Sequence, residues 1–242
     1  MAQILTERHL PSGHVAWVAM SEIADGSMSI GNYQTREKSA GQASVSLKES
    51  NRELLVPPIS NWSYLNQVHG IQVVEVAGAS TVDGDDGDAL VTTFEERVLT
   101  VQVADCVPVS LISEGGAIAV VHAGWRGLLE GVLEEASNQL NAVRSGKQFA
   151  VVGPHIGSCC YEFGKEELKP FIHKHGNSVL ASTNIGSDSL DLSAVVVSIL
   201  DGKEIEIIKQ DSSCTFCDNR YWSYRSSGTE KRQCLFAWIE KK

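Results

Sequence analysis

Hydrophobic and polar residues alternate along this chain in short runs that are typical of β-strands. Each run is rich in valine, isoleucine or aromatic residues and is bounded by Gly, Pro, Asp or Asn. The pattern predicts strands at His14–Met20, Ile71–Val76, Val98–Val103, Ala117–Val121, Gln148–Val152, Glu204–Lys209 and Cys234–Ile239.

Helical periodicity is rarer in the chain. Apolar residues recur every four positions between about Gly127 and Val143, which predicts one long helix there. Shorter helices are predicted at Lys165–His175 and Ser193–Leu200. Strands that alternate irregularly with helices indicate a mixed α/β (α+β) fold, in which helices cover β-sheets. No break in composition divides the chain, so we expect one domain over residues 1–242, with a long polar loop at 26–50.

Composition restricts the partners and the compartment. The chain has 242 residues, 43% of them hydrophobic, and a formal net charge of −10. Such a balance argues against nucleic acid or an anionic membrane as the main partner. No apolar run is long enough to span a membrane, and Met1–Pro11 carries charges where a signal peptide needs apolar residues. We therefore expect a cytoplasmic protein with free thiols; the sequence indicates no particular oligomeric state.

Candidate metal ligands follow the predicted strands. Cys106 comes after Val98–Val103 and His122 after Ala117–Val121, while His69 lies in a third polar segment. Open α/β sheets bind ligands at the carboxyl ends of their strands, so these side chains could converge. Two imidazoles and a thiolate suit a catalytic zinc ion with one open coordination position. Their long separations match no zinc-finger spacing, so the residues alone leave purely structural roles equally open.

The segment after His122 suggests an anion site. A glycine-flanked turn leads into the predicted helix, and Arg126 lies at this junction. Free N–H groups at a helix N-terminus attract anions, and a guanidinium adds positive charge. A phosphate or carboxylate close to His122 is therefore our hypothesis.

Five segments of the chain form a set of motifs. They are Asn66–Gly70, Ala104–Pro108, Val121–Gly127, Gly153–Glu162 and Cys214-Thr215 with Tyr224-Arg225. Together they resemble the YfiH family, whose members are labelled laccase-like polyphenol oxidase, purine nucleoside phosphorylase or peptidoglycan editing factor. The resemblance implies a single layered α/β domain and a mononuclear metal site at His69, Cys106 and His122, usually assigned zinc. Upstream, Met28–Tyr33 departs from the family's Ser-Leu-Asn-Leu-Gly-like segment, whereas Asn51-Arg52 matches its Asn-Arg pair.

The resemblance also implies activities: phosphorolysis of adenosine, inosine and methylthioadenosine, and deamination of adenosine. The expected partners are a purine nucleoside and phosphate, both small molecules. Zinc lowers the pKa of its bound water, which could then attack the purine. Asp105 could carry protons or orient a ligand. We predict catalytic roles for Cys106, His122 and Asp105, and substrate contacts from Arg126, Asn66, Gln67 and Tyr161.

Other functions use the same residues. Cys106 as nucleophile with His122 as base would make an amide hydrolase, acting on a peptidoglycan precursor in which L-serine replaces L-alanine on UDP-MurNAc. A multicopper oxidase needs many histidines and the chain has seven, although one copper ion could compete for the same ligands. A non-enzymatic, metal-dependent binding module is the third alternative, against which the open coordination position argues.

Two further patterns are given ordinary interpretations. Cys214-x-x-Cys217 is half of a zinc-binding pattern, but the adjacent Cys159-Cys160 does not supply the usual second half. These thiols are therefore interpreted as packing residues. Most of the acidic run Asp83–Asp88 is interpreted as a solvated turn rather than a calcium loop, since its glycine is misplaced for an EF-hand. Asp88-Ala89-Leu90-Val91-Thr92 resembles a further motif of the YfiH family, which is interpreted as structural.

Overall fold

The computed structural model describes residues 2–29, 56–78, 81–95 and 97–241. Most of the predicted loop region 26–50, together with Asn51-Arg52, lies outside the described residues. In the described part of the chain, no helix combines the length and the apolar character needed to cross a membrane.

Strands dominate the described residues. In chain order they are β1 (Gln3–His9), β2 (His14–Met20), β3 (Trp62–Asn66), β4 (Val73–Glu75), β5 (Asp83–Asp86), β6 (Ala89–Thr92), β7 (Val98–Val103), β8 (Val107–Ser113), β9 (Ala117–Ala123), β10 (Gln148–Val152), β11 (Leu180–Ser182), β12 (Asp188–Leu190), β13 (Glu206–Gln210) and β14 (Gln233–Lys241). The helices are α1 (Trp125–Glu130), α2 (Val132–Val143), α3 (Lys165–His175), α4 (Leu192–Gly202) and α5 (Tyr224–Ser227), with short 3₁₀ turns at Ile23–Asp25, Ile59–Asn61 and Asn177–Val179.

Two six-stranded mixed sheets form the frame. The first has the order β1-β2-β14-β7-β3-β5, and the second has the order β13-β10-β8-β9-β6-β4. In the second sheet, β8, β9 and β6 pair antiparallel, whereas β4 runs parallel to β6 and β13 parallel to β10. A separate pair, β11-β12, forms a small antiparallel ribbon.

Side-chain packing arranges these elements in layers. One apolar cluster joins Leu99 and Leu235 of the first sheet to Ile112 and Phe149 of the second, so the two sheets pack face to face. A second cluster joins the opposite face of the second sheet to helices α2, α3 and α4. β8 and β9 are consequently buried along their whole lengths, in the middle layer. This layer carries the candidate site.

The structure confirms the predicted mixed α/β fold of sheets covered by helices. The predicted strands are present within a few residues, as are the helices at Lys165–His175 and Ser193–Leu200. The prediction of one continuous helix at Gly127–Val143 is wrong. The backbone of Gly131 takes φ +108°, a left-handed conformation that ends α1 and starts α2. The extent of a single domain stays a prediction.

The acidic run is also different from its prediction. Asp83–Asp86 forms β5, which pairs with β3, and Asp88 is completely buried. A solvated turn would leave every carboxylate in this run in water. A buried carboxylate is costly unless it is paired or hydrogen-bonded, and the partners of Asp88 lie in the candidate site.

Candidate metal centre

His69, Cys106 and His122 meet at one end of the middle layer. His69 lies in the loop after β3, Cys106 in the turn between β7 and β8, and His122 inside β9. The antiparallel register pairs Pro108 with His122, so the start of β8 lies beside the end of β9. Their three ligand atoms all lie within 4.8 Å of one another. The expected convergence is present. His69 and Cys106 follow the carboxyl ends of the parallel neighbours β3 and β7, and the antiparallel pairing of β8 with β9 brings His122 to the same place.

The separations suit one metal ion. Sγ of Cys106 lies 4.0 Å from Nε2 of His69, and the two imidazole rings stand edge to face with centroids 4.7 Å apart. Tetrahedral zinc, with bonds of about 2.0–2.3 Å, spaces its donor atoms by roughly 3.3–3.8 Å. His122 is buried, Cys106 is half-buried and His69 is exposed. The group is therefore accessible from the His69 side, where a substrate can approach.

Asp88 holds two of the three ligands. Its carboxylate accepts a hydrogen bond from Nδ1 of His122 at 2.7 Å and from the backbone N–H groups of His69 at 2.9 Å and Gly70 at 2.7 Å. The bond to Nδ1 leaves Nε2 of His122 as the ring nitrogen available to a metal. Burial alone would raise the pKa of Asp88, but the hydrogen bond and charge of His122, with the two N–H donors, hold it below its ordinary value.

Asp88→Asn is expected to weaken metal binding by about 10–100-fold, the usual cost of losing a partner that orients a metal-ligating histidine. The amide removes the negative charge, and when its oxygen accepts from His122 and His69, its NH2 group faces the Gly70 N–H, from which it cannot accept. Competition with a chromogenic chelator measures the affinity. Asp86→Asn is the matched control, because Asp86 is exposed and, among the described residues, its Oδ1 accepts from Nδ2 of Asn66 alone. Equal affinities of the Asp88→Asn protein and wild type would exclude this role for Asp88.

Two backbone features shape the space around the ligands, the conformation of His69 and the missing side chain of Gly124. His69 has φ +62°, a left-handed conformation that its loop stabilises through the N–H contacts to Asp88. Gly124 has ordinary extended angles, but a Cβ on it would lie 2.9 Å from Cδ2 of His69 and 3.4 Å from Sγ of Cys106. The absence of a side chain at Gly124 therefore makes room for the ligands.

Cys106 and His122 form an electrostatic pair. Desolvation opposes charge on both groups, yet the charge of His122 and its hydrogen bond lower the pKa of the Cys106 thiol to about 6. In turn the charge of Cys106 and the hydrogen bond to Asp88 raise the pKa of His122 to about 9. The metal-free pair is thus a thiolate beside an imidazolium at neutral pH. A thiolate is the form in which cysteine binds zinc, and metal binding would displace the imidazolium proton.

Asp105 is anchored by its surroundings. It is buried with φ +95°, and its two carboxylate oxygens accept from the Thr215 hydroxyl and the Arg225 backbone N–H, both at 2.7 Å. These contacts fix the turn that presents Cys106. The predicted proton-carrying role stays a prediction, whereas the carboxylate that contacts a ligand histidine is Asp88.

The predicted substrate residues occupy different surroundings. Tyr161 is buried under the guanidinium of Arg225, 4.9 Å from its ring; burial and the charge of Cys106 raise the pKa of its hydroxyl well above the usual value. Arg126 is exposed and lies over the Trp125 ring at 4.3 Å. Both ends of the Gln67 amide bond the Gln102 backbone, and Asn66 bonds Asp86. Substrate contacts from these residues stay predictions.

Sequence reasoning missed Asp88 and Thr215. Asp88 immediately precedes the wholly buried β6, and that position was the available signal for a carboxylate with a structural partner. Thr215 belongs to one of the motifs, but its contact with Asp105 joins residues that are far apart in the chain. Only the fold brings these partners to the ligands.

Comparison with known proteins places the chain in a family. Residues 25–240 match the family described as "Multi-copper polyphenol oxidoreductase laccase". The chain belongs to this family, the YfiH family. A Xylella fastidiosa protein named purine nucleoside phosphorylase is 34% identical over 215 residues, which cover 83% of this chain and 81% of the relative. The Shigella flexneri protein named purine nucleoside phosphorylase YfiH is 32% identical over 179 residues, 73% of each chain.

Solved structures of YfiH-family proteins share the fold. The Bacillus licheniformis hypothetical protein YfiH superimposes with a TM-score of 0.79 at 19% identity, covering 98% of this chain and 99% of that one. A Neisseria meningitidis protein of family DUF152 gives 0.76 at 22% identity and covers 99% of both chains. The layered arrangement of sheets and helices is therefore that of the YfiH family.

Proposed function

We propose that this protein is a zinc-dependent purine nucleoside phosphorylase that also deaminates adenosine. The observation that carries the proposal is the convergence of His69, Cys106 and His122, with Asp88 behind them and the exposed His69 at the entrance. The names of the Xylella fastidiosa and Shigella flexneri relatives support the nucleoside class. The proposed substrates are adenosine, inosine and methylthioadenosine with phosphate.

Phosphorolysis needs few groups from the protein. Orthophosphate attacks the anomeric carbon, the bond to the purine nitrogen breaks, and the base leaves with the bonding electrons and takes up a proton. Arg126, exposed beside the site, offers a cation for phosphate. The buried Tyr161 lies under the exposed Arg225, whose guanidinium donates to the Glu162 carbonyl. Zinc held by His69, Cys106 and His122 would supply a Lewis acid that stabilises developing negative charge.

Product analysis tests the proposed function. Purified protein is incubated with adenosine, with and without phosphate, and the products are separated by chromatography. We expect adenine and ribose 1-phosphate only when phosphate is present, and inosine in both reactions because deamination consumes water instead. Adenosine left intact in both reactions would contradict the proposal.

The Cys106–His122 pair also favours a second function, an amide hydrolase. A thiolate with a pKa of about 6 beside an imidazolium is the resting state of a cysteine nucleophile and its general acid–base partner. The substrate would be the peptidoglycan precursor that carries L-serine in place of L-alanine. The two functions are separable, because a thiolate nucleophile must be free of metal whereas the nucleoside enzyme needs the metal bound.

The family description names a multicopper oxidase, which requires several histidine-rich copper sites. Within the described ranges, two groups of three or more donor side chains come together, and histidines occur in one of them. That group has the size of a mononuclear site. We therefore assign a single copper ion, in competition with zinc at the same ligands, as the basis for any oxidase activity.

A further inference from the structure

Four cysteine thiols meet in a second group, distinct from the three ligands of the proposed metal centre. Cys159 and Cys160 come from the turn after β10, and Cys214 and Cys217 from the turn after β13. All four Sγ atoms lie within 4.8 Å of one another, with Cys217 at 3.3 Å from Cys160 and 4.0 Å from Cys159. The sequence interpretation of these residues as ordinary packing thiols is therefore wrong, since the fold supplies the missing half of the Cys214-x-x-Cys217 pattern.

We propose that Cys159, Cys160, Cys214 and Cys217 bind one structural zinc ion. Tetrahedral zinc with four Zn–S bonds of about 2.3 Å places the sulfur atoms roughly 3.8 Å apart. The separations of 3.3 Å and 4.0 Å bracket this value, and all four sulfur atoms lie within 4.8 Å of one another. Four protein ligands leave no open position, so this site is of the structural kind, unlike the three-ligand centre at His69.

The backbone around Cys214 is arranged for a metal-bound thiolate. Its Sγ accepts a hydrogen bond from the Gly157 N–H at 3.1 Å. The turn is closed by the Cys217 and Asp218 N–H groups, which donate to the Cys214 carbonyl at 3.0 and 2.9 Å. Donors aimed at a sulfur stabilise its negative charge, which four thiolates around one dication need.

Gly157 shows how closely the two turns approach. A Cβ at this position would lie 3.2 Å from both Sγ of Cys159 and Cβ of Cys214, so a side chain would push the two turns apart. The turns are also joined by a parallel β-bridge between His155 and Cys214. The two cysteine pairs are thus held in place by main-chain contacts that do not depend on the thiols.

A disulfide explains the cluster less well. The separation of 3.3 Å between the Sγ atoms of Cys160 and Cys217 is far above the roughly 2.05 Å of an S–S bond. One disulfide would also leave two further thiols against it. A single ion satisfies all four sulfur atoms at once, and each thiol would release its proton to solvent on binding.

The ion would link the second site to the first. Thr215 lies between the cysteines of the second turn, and its hydroxyl donates to Asp105, the neighbour of Cys106. A zinc ion that holds the Cys214–Cys217 turn against Gly157–Cys160 therefore also steadies the turn that presents Cys106. Loss of this ion is expected to loosen metal binding at the first site without removing any of its ligands.

Elemental analysis of three variants tests the inference separately from the proposed function. In a Cys106→Ala background, which destroys the first site, we expect about one zinc per chain, held by the second group of donors. Adding Cys217→Ser, a change at an exposed position, should reduce this to near zero. Adding Cys234→Ala instead is the matched control, because Cys234 is a lone buried cysteine and its loss should leave the zinc in place.

Two further measurements test whether the variant is folded and whether thiolates bind the metal. Circular dichroism must show that the Cys217→Ser protein is folded, and cobalt replacing zinc in the Cys106→Ala protein should give thiolate-to-metal charge-transfer bands that Cys217→Ser removes. Equal zinc content with and without Cys217→Ser would overturn the proposal. A Cys106→Ala protein that is free of zinc would also overturn it. So would a disulfide among the four cysteines, which intact mass spectrometry detects as the loss of two hydrogen atoms.

Discussion

Replacing Cys106 with alanine is expected to remove metal and nucleoside cleavage together from the first site. Cys106 is the one cysteine among the three donors, and its negative charge stabilises a positive charge on the neighbouring His122. Loss of an orienting partner already costs metal sites about 10–100-fold, and loss of a direct ligand costs more, so turnover should fall by more than about 100-fold. Elemental analysis and the rate of base release from adenosine measure both effects.

The control for this variant is Cys234→Ala, which removes a buried thiol that belongs to neither donor group. It should keep the metal and the activity of the wild type. A Cys106→Ala protein that retains full turnover would remove both the metal site and the thiolate from the reaction. A protein that retains metal at His69 and His122 but loses turnover would favour the cysteine nucleophile instead.

Gly124→Ala is expected to disable the site by adding one methyl group. The backbone at Gly124 has angles that alanine adopts freely, so the main chain tolerates the change. The new Cβ would lie 2.9 Å from Cδ2 of His69, which forces the imidazole away from Cys106. Displacing a reacting or binding group by about 1 Å costs roughly 100-fold in rate, so turnover and metal affinity should fall together.

Gly202→Ala is the matched control, since nothing lies within 4 Å of a Cβ at this helical position and its φ needs no glycine. Its free energy of unfolding should be unchanged or raised by about 0.4–1 kcal/mol. Thermal unfolding of both variants separates a local effect at the site from general instability. Wild-type turnover in the Gly124→Ala protein would show that His69 has room to move and is not held as a ligand.

The fold was predictable where local pattern and tertiary packing agree. β2, β7 and β10 have the predicted bounds, because Val- and Ile-rich runs flanked by turn residues are apolar enough to be buried on at least one face. β8 was missed although it is wholly buried, since Pro108, Ser110 and Ser113 interrupt its apolar residues and a proline argues against a central strand. The break at Gly131 was not predictable, because the four-residue spacing of apolar residues continues across this glycine.

The candidate site was predictable only in part. His69, Cys106 and His122 stand in motifs that resemble a family, and the structure brings their donor atoms together. Asp88 was hidden in an acidic run, because neither charge nor spacing shows that one carboxylate of the run is buried against an imidazole. The four-cysteine group was hidden for a similar reason. A β-bridge between His155 and Cys214 brings the two cysteine pairs together, whereas in the sequence the adjacent Cys159-Cys160 lacks the usual spacing of a zinc-binding pair.

Removal and return of the metal tests the central claim most directly. The protein is stripped with a chelator, assayed for phosphate-dependent release of adenine from adenosine, and assayed again after zinc is added back. We predict that release stops in the stripped protein and returns with zinc, because His69, Cys106 and His122 act through the ion they hold. Full release by the stripped protein, with its metal content verified as near zero, would contradict a metal-dependent nucleoside enzyme.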